Sequence, residues 1–377
     1  MDWKIPLADI DFDSREEEAV LGVLKSRWLT MGSVTQVFEE EFSSYVGARH
    51  AIAVANGTAA LHLACLGIGL GPGDEVILPS LTFVATANAI RYTGATPVFA
   101  DIESEQDLDI SIRAIERKLT DKTHAIMVMH YGGYACDMSA ITRLAQANGL
   151  QVIEDAAHAV GTEYEGRKAG TLSDVGCFSF FSNKNMTTGE GGMVVTNDDV
   201  AADKMRILRS HGMTSLSWDR HRGHAWSYDV VELGYNYRMD EIRAALGRIQ
   251  LSKLDKNNQR RRHLTMLYRE QLEEVVPSVG LPFDKPRGTS ACHLFPILLP
   301  AGSNRTGFME EMKNEGIQTS IHYPPIHKFR TYAEAGETSH NLPMTENVAD
   351  REVTLPLYPG MTDENISQVV HAVRNAI

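Results

Sequence analysis

Short apolar runs alternate with helical patterns through the first two-thirds of the chain. The runs at 50–55, 75–78, 97–100, 125–130 and 151–154 read as strands, each brief and bounded by glycine, proline or polar turns. Between them, apolar residues recur at helical spacing over 58–68, 85–92, 112–119 and 140–148. Upstream, Ser14 and Glu17 have the spacing of a capping box that opens a helix toward Lys25. Phe38, Phe42, Tyr45 and Val46 give a second helix its apolar face. Segments 176–181 and 193–196 read as further strands and 200–210 as a helix. Such alternation predicts an α/β fold with a mainly parallel sheet covered by helices on both faces.

The pattern changes near residue 238. One proline-free helical stretch runs from 239 to about 274, followed by a strand at 293–299, a helix at 308–316, a strand at 318–322 and a last helix at 364–376. A large domain over 1–249 and a smaller α+β domain over 250–377 are expected, and 377 residues suit two domains.

Composition narrows the function classes. Hydrophobic residues make up 43% and charged residues 23%, an ordinary globular balance. A net charge of -13 argues against a nucleic-acid partner. The basic run Arg260-Arg261-Arg262 falls in the long helical segment and reads as a solvated face. Segment 51–71 is the nearest approach to a membrane span, but Asn56, His62 and several glycines interrupt it. No signal-peptide pattern opens the chain, so a cytoplasmic protein is expected. Cys65, Cys136, Cys177 and Cys292 form no CxxC pair and read as buried free thiols, not metal ligands.

The chemistry concentrates in two places. Lys184 lies between the apolar run 177–181 and the glycine-rich turn 189–192. A lysine held there is desolvated, which lowers its pKa and makes it an amine nucleophile able to form a Schiff base. Asp155 ends the apolar strand before it, at the edge where α/β sheets bind ligands. An electron-sink cofactor such as pyridoxal phosphate needs this pair, a lysine for its aldehyde and an acid for its ring nitrogen. Asn56-Gly57-Thr58-Ala59 joins a strand to a helix, where free N–H groups and the helix dipole favour an anion, and Ser179 could add a phosphate contact. Phe83 could stack on a planar ring or sit in the core, and His158 and Asn236 could bind a ligand or cap a turn.

Together these segments closely resemble the DegT/DnrJ/EryC1/StrS aminotransferases, a branch of the type I pyridoxal-phosphate-dependent transferase fold. The matching motifs are Asn56-Gly-Thr-Ala-Ala-Leu61, Pro79-Ser-Leu-Thr-Phe83, Glu154-Asp-Ala-Ala-His-Ala159, Ser179-Phe-Phe-Ser-Asn-Lys184, Gly189-Glu-Gly-Gly192, Gly234-Tyr-Asn-Tyr-Arg-Met239 and His322-Tyr-Pro-Pro-Ile-His327. Their order along the chain makes the match specific.

The resemblance implies that Lys184 is the Schiff-base lysine and Asp155 the partner of the pyridinium nitrogen. It implies that Phe83 stacks on the ring, that Gly57, Thr58 and Ser179 bind the phosphate, and that His158 lies near the ring hydroxyl. Asn236 would reach the cofactor of a partner subunit, making a homodimer with shared active sites the working unit. His322 and Tyr323 would lie near the substrate. Two positions depart from the common pattern: Asn183 replaces a serine or threonine, and Ser320 replaces an arginine near the nucleotide. Relatives that dehydrate sugars carry histidine in place of the lysine, so Lys184 favours amino transfer. The implied reaction moves an amino group from an amino acid, glutamate foremost, to a keto sugar such as a nucleotide-linked 4-keto-6-deoxyhexose. Pyridoxal 5'-phosphate would be the cofactor and its pyridoxamine form the intermediate carrier. Amination at C3, a cyclitol ketone as acceptor, or a cofactor-binding regulator without turnover are the alternatives.

Overall fold

Strands buried on both faces need apolar side chains on both, and the short runs of this chain meet that requirement. They become β1 (His50–Val54), β2 (Glu75–Pro79), β3 (Thr96–Ala100), β4 (Thr123–Met129), β5 (Gln151–Asp155), β8 (Val175–Ser179) and β9 (Gly192–Thr196), with a small hairpin of β6 (Glu163–Tyr164) and β7 (Arg167–Lys168) between β5 and β8. The computed structural model describes residues 3–214, 227–333 and 341–377. One seven-stranded sheet has the order β1-β9-β8-β5-β4-β2-β3. The pairs β2–β3, β2–β4, β4–β5 and β5–β8 are parallel, while β9 lies antiparallel between β1 and β8. This is the α/β sheet that the alternating pattern predicts.

The first three helices are α1 (Ser14–Ser26), α2 (Ser33–Val46) and α3 (Gly57–Gly67). The capping box of α1 is one residue earlier than expected. Asp13 accepts from Arg15 N–H, and Glu16, not Glu17, accepts from Asp13 N–H at 2.9 Å. Glu16 wins because it is also buried against Lys253 and Gln250 of a distant helix. The apolar stripe of α2 packs Phe38 and Phe42 on Phe178 and Phe180, with ring centroids 5.0–5.7 Å apart. The helix thereby fixes the strand that leads toward Lys184.

A single helix of 35 residues, Glu241–Val275, runs roughly 50 Å through both halves of the molecule. Ala244 and Leu254 join the core beside the large sheet, whereas Leu264, Tyr268 and Leu272 join a second core. Gly247 lets this helix approach α2, since a Cβ there would meet the Phe38 ring at 2.5 Å. The second core covers an antiparallel pair, β10 (Phe295–Leu298) and β11 (Glu352–Leu355). The strand expected at 318–322 does not form. Only Ser320 bridges to Thr354, and the next available N–H, that of His322, is taken by the Glu352 side chain. The helix Pro343–Arg351 and β11 lie outside the elements expected from the sequence. Among the described residues no helix is long and apolar enough to cross a membrane. All four cysteines are free and buried.

The long helix also caps α2. Gly32 precedes α2 and has no side chain to offer. Glu241 supplies the carboxylate instead, accepting Gly32 N–H at 2.9 Å, Val34 N–H at 2.8 Å, Thr35 N–H at 2.8 Å and the Thr35 hydroxyl at 2.7 Å. A negative charge at a helix N-terminus also opposes the dipole favourably. Glu241→Ala leaves these buried donors without an acceptor. It is expected to lower the unfolding free energy by about 2–4 kcal/mol, read as an earlier urea midpoint. An unchanged midpoint would show that water replaces the carboxylate.

Candidate active site

At the carboxyl ends of β5 and β8 the sheet opens into a cleft of about 480 Å³. A larger groove of about 880 Å³ between α1, α2 and the long helix shares no lining residue with it. The cleft brings together Gly57, Thr58, Phe83, Asp155, His158, Ser179, Lys184, His322 and Tyr323. Asn236 is the exception. It is exposed, bridges to Ser210, and does not line the cleft of its own chain.

Asp155, 4% exposed, ends β5. Burial raises its pKa, while the Thr86 hydroxyl, the Ala157 amide and the Lys184 charge pull it down. Thr86 Oγ1 donates to Oδ2 at 2.8 Å and Ala157 N–H to Oδ1 at 3.1 Å. Because the Thr86 proton is committed to the carboxylate, the Thr82 hydroxyl at 2.9 Å must donate to Thr86. The relay is therefore directional and ends on Asp155.

Lys184 sits in the loop between β8 and β9. Desolvation lowers its pKa to about 8, against the pull of Asp155. Among the described residues its amine has no ion-pair or hydrogen-bond partner. The loop is tied down one residue later. Asn185 Nδ2 donates to Asn258 Oδ1 at 2.7 Å and to Ala291 O at 2.8 Å, and its Oδ1 accepts from His293 Nδ1 at 2.9 Å. The backbone N–H of Lys184 donates to Phe181 O at 2.9 Å.

On one side of the cleft, α3 begins. Asn56 Oδ1 caps Ala59 N–H at 2.8 Å, leaving the amides of Gly57 and Thr58 with no protein acceptor among the described residues. Gly57 packs so closely on β8 that a Cβ would lie 2.8 Å from Ser179 Cβ. Free amides, a helix N-terminus and the Ser179 hydroxyl make a cradle for an anion such as a phosphate. Phe83, 54% exposed, forms a wall 5.8 Å from the Tyr323 ring. His158 is buried and uncharged, its pKa well below the usual value through desolvation and the Lys184 charge. Its Nδ1 accepts Gly132 N–H at 3.3 Å, so the neutral ring carries its proton on Nε2 and donates it to Tyr323 Oη at 2.9 Å.

Thr86, Asn185, Gly132 and His293 were missed at the level of sequence. Thr86 lies three residues after Phe83, and Asn185 directly follows Lys184. Gly132 and His293 carry no local signal, because their partners are far away in the chain.

The amine, the buried carboxylate, the aromatic wall and the anion cradle fit pyridoxal phosphate group by group: aldehyde, ring nitrogen, ring face and phosphate. The fold and this cleft are those of a type I pyridoxal-phosphate-dependent sugar aminotransferase. The chain belongs to the DegT/DnrJ/EryC1/StrS aminotransferase family, which it matches over residues 11–374. It is 42% identical to the spore coat polysaccharide biosynthesis protein SpsC of Bacillus subtilis, over 96% of this chain and 94% of that protein. Its fold matches Helicobacter pylori PseC, an aminotransferase involved in the biosynthesis of pseudoaminic acid, with a TM-score of 0.91, 30% identity, and coverage of 100% and 99%. It matches DesI, solved in the presence of its TDP-sugar product, with a TM-score of 0.88, 32% identity, and coverage of 99% and 92%.

The contact between Gly57 and Ser179 is open to test. Gly57→Ala forces the two segments apart and opens the cradle. Affinity for added pyridoxal phosphate is expected to fall about tenfold, roughly 1.4 kcal/mol, in a fluorescence titration. Unchanged affinity would place the phosphate elsewhere.

Proposed function

We propose that this aminotransferase moves the amino group of an amino acid, L-glutamate foremost, to a nucleotide-linked 4-keto-6-deoxyhexose. The observation that carries the reading is the Lys184 amine. It lies in the cleft with Asp155, forms no ion pair among the described residues, and its pKa of about 8 leaves a useful neutral fraction near physiological pH.

Pyridoxal phosphate, when bound, would supply an aldehyde able to take up an amino group and a ring that absorbs negative charge. Lys184 Nζ would hold the aldehyde at rest and, once free, would move the proton from the donor's α-carbon. Asp155 keeps a proton on the ring nitrogen, and the Thr82–Thr86 relay holds the carboxylate in its ionised form. Phe83 covers the ring, and the Gly57 and Thr58 amides with the Ser179 hydroxyl hold the phosphate. His158, its tautomer fixed by Gly132, orients Tyr323 beside the ring. His322 and Tyr323 face the sugar. Ser320 offers no positive charge to a diphosphate, so uncharged donors take a larger share of substrate binding.

We infer a homodimer in which Asn236 serves the partner's cofactor phosphate. An exposed apolar run just before it supports this: Val230 and Val231 are both more than half exposed, and Leu233 is 85% exposed. Buried free thiols support a reducing, cytoplasmic setting.

Given 15N-labelled glutamate and a panel of nucleotide-linked keto sugars, the label should appear on a sugar, with 2-oxoglutarate formed in equal amount. Labelling of a cyclitol ketone alone would refute the sugar assignment, and loss of a sugar hydroxyl without nitrogen gain would refute amino transfer.

Shared sites predict complementation. Lys184→Ala and Asn236→Ala subunits, mixed and reassociated, give hybrids with one doubly defective site and one intact site. Activity is expected to rise several-fold above either parent. Hybrids that form without recovery would show sites built within single chains.

A further inference from the structure

Behind His322 lies a buried cluster to which the reaction above assigns nothing. Glu352, at the start of β11, is 1% exposed. Its Oε2 accepts the backbone N–H of His322 at 2.7 Å. Its Oε1 lies 2.5 Å from Thr354 Oγ1, which lies 2.8 Å from His322 Nδ1. The Tyr131 hydroxyl donates to the His322 carbonyl. The backbone and Nδ1 of His322 are thus all held. Nε2 remains, without a hydrogen-bond partner among the described residues, on a ring that lines the cleft.

A threonine hydroxyl has one proton and donates in one direction only. When Glu352 is ionised, Thr354 donates to it and accepts from His322 Nδ1–H, so the neutral ring has a bare Nε2. When Glu352 is protonated on Oε1, that proton goes toward Thr354, Thr354 donates to Nδ1, and the neutral ring carries its proton on Nε2. The ring stays neutral in both states, because burial and the Lys184 charge lower its pKa to about 3.

We propose that Glu352 and Thr354 are positioning residues that set the proton on the cleft-facing Nε2 of His322, and with it the hydrogen-bond polarity offered to the substrate. The proposal rests on the reading that the sugar binds against His322.

Burial pushes the Glu352 carboxyl up to about 8, with the Thr354 hydroxyl and the His322 amide pulling the other way. Below that value Glu352 keeps its proton and Nε2–H donates, which suits a carbonyl or phosphate oxygen. Above it Nε2 accepts, which suits a hydroxyl. Arg305, bonded to the Glu352 carbonyl at 3.3 Å, favours the ionised form. Tyr131 and Tyr323 flank the carboxyl and stay protonated, their pKa values raised by burial. Lys184, His158 and His293 surround the ring. The free Lys184 amine has its pKa near the same value, so the test uses the holoenzyme, in which that amine holds the cofactor, and the Glu352→Gln variant to isolate the carboxyl.

The test uses the holoenzyme with ring-15N-labelled histidine, His322→Gln serving to assign the His322 signals. Between about pH 6 and about pH 10, the His322 ring proton is expected to move from Nε2 to Nδ1 in the native protein. Glu352→Gln, whose amide donates permanently to Thr354, should hold it on Nε2 throughout. Thr354→Val should abolish the transition and Thr354→Ser should restore it. A native protein with one tautomer across the range overturns the proposal, and so does a Glu352→Gln variant that retains the transition. In kinetics, the KM for the keto sugar should rise about tenfold above the transition in the native enzyme and stay flat in Glu352→Gln, with the glutamate half-reaction following the same pH profile in both. A sugar KM whose pH profile is the same in both proteins also overturns it. If the tautomer moves as expected but no sugar is turned over, the relay stands and the functional reading falls.

Discussion

The register between β5 and β8 governs everything at the cleft. The two strands pair in parallel, with Glu154 opposite Gly176 and Asp155 opposite Cys177. Alternation along a strand sends these two carboxylates to opposite faces. Asp155 goes to the cleft. Glu154 goes behind it, where it accepts Gly170 N–H at 2.6 Å, Leu172 N–H at 2.7 Å, the Ser173 hydroxyl at 2.9 Å and His130 Nε2–H at 2.9 Å. His130 must donate, since its Nδ1 accepts Cys136 N–H at 3.2 Å. A slip by one residue would exchange the carboxylates and leave four donors stranded. Each acid therefore holds the other in place.

The cleft is shared between the two halves of the molecule. The lysine loop hangs from the large sheet, but Asn185 ties it to Asn258 of the long helix and to Ala291 and His293 just before β10. His158 follows β5 of the large sheet and reaches Tyr323, beyond β10 in the chain. Gly132 joins both sides, donating to His158 and accepting His293 N–H at 2.8 Å. Polar groups buried in this way are costly unless paired, so the pairing specifies one arrangement of the halves.

What the sequence revealed and what it hid separate along one line. The large sheet, Lys184 and Asp155 were legible because apolar periodicity and the turns at strand ends are local signals. Roles that depend on a distant partner were not. Glu241 looks like an ordinary first-turn acid until α2, some two hundred residues earlier, turns out to need a cap. Glu16 outcompetes Glu17 for the capping box because of Lys253. The stretch 318–322 reads as a strand, but Glu352 takes the His322 amide that a strand would have used. In each case a carboxylate satisfies backbone groups that a local pattern leaves open.

Ile5 adds a consequence for how the protein folds. It belongs to the second core, where Lys4 and Ile5 amides donate to Gly316 O and Gln318 N–H donates to Ile5 O. The partners lie far apart along the chain, and the same core takes in Leu264, Tyr268 and Leu272 of the long helix. Contacts of such high sequence separation carry a loop-closure entropy cost and raise the contact order, which slows folding.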